Sequence, residues 1–182
     1  MKILFYGSFI PLHGIDVILK AFSLMEKDGL EFEANIIGCG QIYSQMKELF
    51  DTLGLKQVTM NGEIIEEIEL ASRIREHDII LGIFGDSTKA KSVVPNKLYQ
   101  AVATAKTIVT MESKAIEEFF DKDDLIVCNN TPEQLSLELT NLVNNKEVLD
   151  ATATNGYNKF LKIYEKTKVD FENFIKEIDR GL

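Results

Sequence analysis

The stretch DIILGIF, residues 78–84, is apolar at nearly every position. A strand facing water on one side alternates apolar and polar residues. A continuous run of this length needs cover on both faces, as in a central strand of a parallel sheet. Parallel neighbours require crossover connections, usually helices. The rest of the chain supplies such a rhythm. KILFY (2–6), FEANIIG (32–38), QVTMNG (57–62), TIVTM (107–111) and DLIVC (124–128) read as further strands. Between them lie stretches with apolar residues at helical spacing: Ile15, Ile18, Leu19 and Phe22; then Ile42, Met46, Leu49, Phe50 and Leu53, stopped by Gly54; then the region of Leu70 and Ile74; then 95–105 and 113–120. Thr131-Pro132-Glu133 opens one more helix, with Thr as N-cap and Pro at the first position. About six strands alternating with helices imply an α/β fold, a single Rossmann-like doubly wound parallel sheet ordered 3-2-1-4-5-6.

The expected domain covers residues 1–145. Residues 146–182 form a C-terminal helical extension, read as two helices over 146–165 and 168–180. In the second, Phe171, Phe174, Ile175 and Ile178 make one stripe, which either packs on the sheet domain or faces a partner.

Charge limits the ligands. The chain has 182 residues, 20 basic and 29 acidic, for a net charge of −9. That balance argues against nucleic acid, whose backbone needs a basic face. Cys39 and Cys128 make no disulfide framework, and His13 and His77 show no metal-ligand spacing, so no metal is expected. No secretory leader pattern and no transmembrane-length apolar run are legible, so a cytoplasmic setting is expected.

In an open parallel sheet, ligands bind beyond the carboxyl ends of the strands, where the strand order reverses. In this order the reversal lies between strands 1 and 4. The loops there are GSFIPLHG (7–14) and GDSTKAKSVVP (85–95), each running into a helix N-terminus, which favours anions. Residues 85–106 hold four lysines (89, 91, 97 and 106) against Asp86. A phosphate or diphosphate fits that local excess of positive charge, although the same lysines could simply solvate a loop. His13 is either a phosphate donor or a surface loop residue. His77 reads as structural. GCGQ (38–41) is a second Gly-rich turn, but the third glycine of the dinucleotide fingerprint and the P-loop pattern are both missing.

FYGSFIPLHGID, IIGCGQ, VTMNGEI and HDIILGIFGDSTKAKSVVPNKLYQAVATAKTIVT, in that order, resemble the C-terminal half of group 1 (family 4) glycosyltransferases of the GT-B fold, over about residues 2–145. The resemblance implies that the chain binds a nucleotide-diphosphate sugar as donor for a retaining, metal-independent transfer. It implies no cofactor besides that donor. Bacterial polysaccharide assembly is the usual family setting. The implied donor-binding residues are Gly7, Ser8, His13 and Gly14 in the first loop; Gly62, Glu63 and Ile64 beside the base; Lys89, Lys91, Ser92, Val94, Asn96 and Lys97 where the diphosphate and sugar meet the helix; and Gln100 for the ribose. Ser8 replaces the usual Arg, His13 the usual Lys, Ser92 and Gln100 the two Glu of the Glu-x7-Glu signature, and Ala105 the usual Gly. No catalytic residue is assigned.

The resemblance also implies an acceptor-binding N-terminal domain or subunit as partner, one that could bring the chain to the inner face of the membrane. Homo-oligomerisation through the C-terminal helix is a further expectation. A non-catalytic pseudo-glycosyltransferase interaction module is the alternative, and a phosphosugar epimerase of similar shape is a third class.

Overall fold

A computed structural model describes residues 1–181. It contains one six-stranded, all-parallel sheet: β1 (Lys2–Tyr6), β2 (Glu33–Ile37), β3 (Val58–Asn61), β4 (Ile79–Leu81), β5 (Thr107–Met111) and β6 (Ile126–Cys128). The order is β3-β2-β1-β4-β5-β6, as the alternation predicts. Seven helices connect and follow the strands: α1 (Ile15–Lys27), α2 (Tyr43–Leu53), α3 (Glu67–Arg75), α4 (Asn96–Ala103), α5 (Lys114–Glu117), α6 (Pro132–Asn144) and α7 (Lys146–Gly181).

The continuous apolar strands divide their side chains between two core layers. Ile3 and Phe5 of β1 pack with Ile79 and Leu81 of β4 on the face covered by α1 and α6. Leu4, Tyr6 and Ile80 point to the other face, against Ile74 of α3 and Leu98, Ala101 and Val102 of α4. At about 25 cal/mol per Å² of buried apolar surface, these two layers are the main stabilising term. Among the described residues, no buried side-chain polar atom is left without a partner. His77 shows how that is met. Its Nδ1–H donates to the Arg73 backbone carbonyl at 2.7 Å, its Nε2 accepts from the Asn35 side-chain amide at 3.0 Å, and Asn35 Oδ1 accepts from the Thr59 hydroxyl at 2.6 Å. This is the structural role read from the sequence.

Two expectations are corrected. The run 78–84 is strand only over Ile79–Leu81. Beyond it the backbone bonds first to β5, with Gly82 N–H on the Val109 carbonyl at 2.8 Å and Met111 N–H on the Ile83 carbonyl at 3.1 Å, and then to the first loop, with Phe84 N–H on the His13 carbonyl at 3.0 Å and Gly85 N–H on the Leu12 carbonyl at 3.1 Å. Burial made the whole segment apolar, while Phe84 and the Gly85 after it left the sheet for the loop. The tail is one helix rather than two, because no Pro or capping signal interrupts it. Its first part is held to the sheet domain. Thr107 Oγ1 of β5 donates to the Leu149 carbonyl at 2.7 Å. Gly156 lies so close that a Cβ would come within 2.5 Å of the Asp124 carbonyl oxygen and 3.0 Å of Val102. Phe160 and Ile163 still reach the core layer under α4. Beyond them the stripe of Phe171, Phe174, Ile175 and Ile178 is exposed, so it does not pack on the sheet domain. No described helix is long and apolar enough to cross a membrane.

Candidate functional site: the β1–β4 switch point

β1 ends at Tyr6, and Gly7 turns the chain with a φ of 136°, outside the range that side chains favour. Its N–H donates to the Ile37 carbonyl at 3.0 Å. A single 3₁₀ turn over Pro11–His13 follows, then Gly14 at φ 60° starts α1. Only a glycine fits there, since a Cβ would lie 2.3 Å from the Phe84 carbonyl. The two loops singled out in the sequence are therefore bonded to one another at the carboxyl edge of the sheet.

Lys97 is the residue that distinguishes this edge. It lies in the buried stripe of α4 with Leu98, Ala101 and Val102 and is only 6% exposed. Its ammonium stands 4.0 Å from the centre of the Phe5 ring and 5.6 Å from that of Tyr6. Its one protein acceptor is the Gly82 carbonyl, at a long 3.4 Å. No ion pair among the described residues includes it. Burial lowers its pKa to about 7. An ammonium with three N–H donors and one weak acceptor has capacity for an added anion.

His13 faces the same spot. Its Nδ1 lies on the Ser8 carbonyl, which can only accept, so Nδ1 carries the proton. Burial first, then the Lys97 charge, lower its pKa to about 4, against the opposing pull of the Ser8 carbonyl. A Cβ on Gly7 would be 3.4 Å from both Lys97 Nζ and His13 Cε1, so Gly7 keeps this corner open. One turn along α4, Gln100 Oε1 accepts from the Tyr6 hydroxyl at 2.7 Å, which leaves the Gln100 amide N–H groups as its remaining donors. Burial pushes the Tyr6 phenol above its ordinary range.

Beside this corner a cavity of about 210 Å³ opens between the ends of β1, β2 and β3. Tyr6, Gly7, Ser8, Ile37, Gly38 and Cys39 form one side, and Glu63, Ile64, Ile65 and Leu70 the other. It is smaller than a drug-sized pocket and suits one ring system. Glu63 is held by its N–H on Asn61 Oδ1 at 3.2 Å, and Ile64 projects with 76% exposure. Gly62, just before them, stacks near the Tyr43 ring. Another cavity, about 820 Å³, lies at the opposite edge of the sheet between residues 118–124 and α7. It is a charged crevice under the projecting helix, remote from the switch point.

The lysine-rich loop divides. Lys97 turns inward, whereas Lys91 pairs with Asp86 at 2.5 Å on the exposed surface. That pairing holds the Asp86 carboxyl below its usual range. Lys89 is exposed at the start of a 3₁₀ turn over Ala90–Ser92. Ser92 donates to its own loop, to the Thr88 carbonyl at 2.8 Å. Val94 packs on the core layer under α4, and Asn96 is the exposed first residue of that helix. The structure thus brings Gly7, Ser8, His13, Gly14, Lys97 and Gln100 to one corner, with Glu63 and Ile64 across the cavity and Gly62 outside its lining. Lys89, Lys91, Ser92, Val94 and Asn96 stand apart from it. Tyr6, Ile65 and Leu70 were not legible as site residues; all three are apolar-patterned positions whose outer ends happen to line the cavity.

The family described as glycosyl transferases group 1 matches residues 1–145. The chain belongs to the group 1 glycosyltransferases. It has the fold of their C-terminal domains. One solved structure, the C-terminal domain of a group 1 glycosyltransferase (LpcC) from Francisella tularensis, superposes with a TM-score of 0.75 at 19% identity, over 90% of this chain and 85% of that one. HepE from Anabaena, solved with UDP and glucose, gives 0.81 at 11% identity, over 100% of this chain and 48% of that one. Sucrose-phosphate synthase from Thermosynechococcus elongatus gives 0.82 at 11% identity, over 100% and 46%. This group 1 chain therefore spans about half the length of the last two. No curated protein matches the sequence.

Proposed function

We propose that this chain is the donor-binding unit of a retaining, metal-independent glycosyltransferase, and that its switch-point corner holds the diphosphate of a nucleotide sugar. The observation that carries this reading is Lys97, a buried ammonium with no carboxylate partner at the edge where α/β sheets take their ligands. The first-turn amides of α1 add partial positive charge beside it. In such a site the charge that develops on a departing diphosphate is offset by fixed donors rather than by a metal ion. The adjacent cavity fits the base, with apolar walls from Ile37, Ile65 and Leu70. Gln100, whose carbonyl is engaged by Tyr6, offers N–H donors to ribose oxygens. Transfer itself calls for an acceptor-binding unit, which the proposal assigns to a separate domain or subunit.

Calorimetry with UDP-, GDP- and ADP-sugars tests the reading directly. At least one should bind, and Lys97→Gln should weaken that binding by tenfold or more. Absence of heat with all three at millimolar concentration would sink it.

A further inference from the structure

The Ser8 carbonyl fixes the tautomer of His13. With Nδ1–H donating to it, the neutral ring presents only a lone pair at Nε2, and no described residue donates to or accepts from that atom. A lone pair repels a phosphate oxygen. The ring becomes a donor on that side only when a second proton is added. Lys97 has the same character in weaker form: its donors are arranged over two aromatic rings and one distant carbonyl, with nothing anionic to hold the charge when the site is empty.

We infer that a diphosphate binds this corner together with protons, and that His13 contacts it as the doubly protonated imidazolium. The inference rests on the reading that the corner is a donor-diphosphate site. It goes further by making occupancy depend on pH, through the proton that His13 must gain at Nε2.

The groups around His13 support it. Lys97 faces it from α4, and the Phe5 ring from β1, edge-on at 5.7 Å. The nearby carboxylates are engaged elsewhere: Asp16 of α1 pairs with Lys20 at 3.1 Å, and Asp86 with Lys91. Glu63, across the cavity, is exposed. No carboxylate is placed to hold a charge on His13 in the empty site. A half-buried cation beside a buried one is unfavourable until an anion lies between them. The sign follows: the ligand raises the proton affinity of both groups, so protons are taken up on binding and affinity falls as pH rises. The slope is up to about tenfold per pH unit for each proton taken up. His13, lowered to about 4 when empty, acts on the acid side, and Lys97, at about 7, on the alkaline side.

The test uses the full chain and a nucleotide sugar found to bind, such as UDP-glucose, whose diphosphate diester does not titrate in this range. Calorimetry in MES and imidazole buffers at matched pH measures proton uptake. In parallel, the His13 Cε1–H NMR signal is titrated with and without ligand, with His77 as internal reference. The expected results are net uptake of protons, affinity falling at least tenfold from pH 5.5 to 8, and a His13 titration moved upward by the ligand while His77 stays in place. His13→Arg should lose the acid-side part of the dependence. Binding without buffer dependence, or with an unmoved His13 signal, overturns this inference and leaves the donor site standing. No heat with UDP-, GDP- or ADP-sugars at any pH overturns the donor site and this inference with it.

Discussion

Replacing Lys97 with Met should make the protein more stable while removing the proposed anion site. Met keeps an unbranched stem in the stripe of α4 and discards the ammonium. A pKa lowered from 10.5 to about 7, at about 1.4 kcal/mol per unit, means that burying Lys97 costs the fold ~4 kcal/mol at neutral pH. Against that stand one long hydrogen bond and two ring contacts, together worth about 1–2 kcal/mol. Desolvation wins, and Lys97→Met should gain ~2–3 kcal/mol.

The pH dependence separates this from ordinary repacking. The folded-state pKa is depressed, so the unfolded chain binds the extra proton between about pH 7 and 10.5. The wild type therefore regains that ~4 kcal/mol across the window, so the advantage of the variant is full below pH 7 and is lost before pH 10.5. Urea unfolding followed by circular dichroism at pH 6, 7.5, 9 and 10 measures it. A variant less stable than wild type at pH 7, or an advantage unchanged up to pH 10, would refute the reasoning.

Two further changes probe the scaffold. Ala105, which follows α4, holds a left-handed φ of 53° while its N–H and that of Lys106 close the helix onto Val102 and Ala101. Ala105→Gly should relieve that backbone strain and add about 1 kcal/mol, read as a rise in Tm of a few degrees. Deleting residues 166–182 should change the free energy of unfolding by less than about 1 kcal/mol, since the described side chains beyond Glu165 are exposed; a larger loss in urea titration would mean that the distal helix supports the domain.

The sheet was legible because burial on both faces leaves a simple mark, continuous apolar runs, and because crossovers allow few orders. Segment 82–85 was not, since an apolar strand and an apolar loop under cover look alike until their hydrogen bonds are traced. Of the candidate site, the two loops were legible and the fold joins them, but the different placement of its lysines was not. Charge counting treated Lys89, Lys91 and Lys97 alike. What separates them is phase: Lys97 is adjacent to Leu98 and one turn before Ala101 and Val102, on the buried face of α4, while Asp86 neutralises Lys91. An apolar stripe containing one lysine was the available signal. The Tyr6–Gln100 bond joins residues 94 positions apart and leaves no local trace in the sequence.

The unbroken course of α7 gives the domain a pointer. The helix is seated on the domain as far as Ile163, and 18 residues beyond it extend to Gly181. At 1.5 Å per residue that arm is about 27 Å long. A 10° tilt at the last seated turn would sweep its tip through about 5 Å. The same α4 that carries Lys97 and Gln100 also seats this helix, through Val102 against Gly156, so the exposed arm and the candidate site share one supporting element.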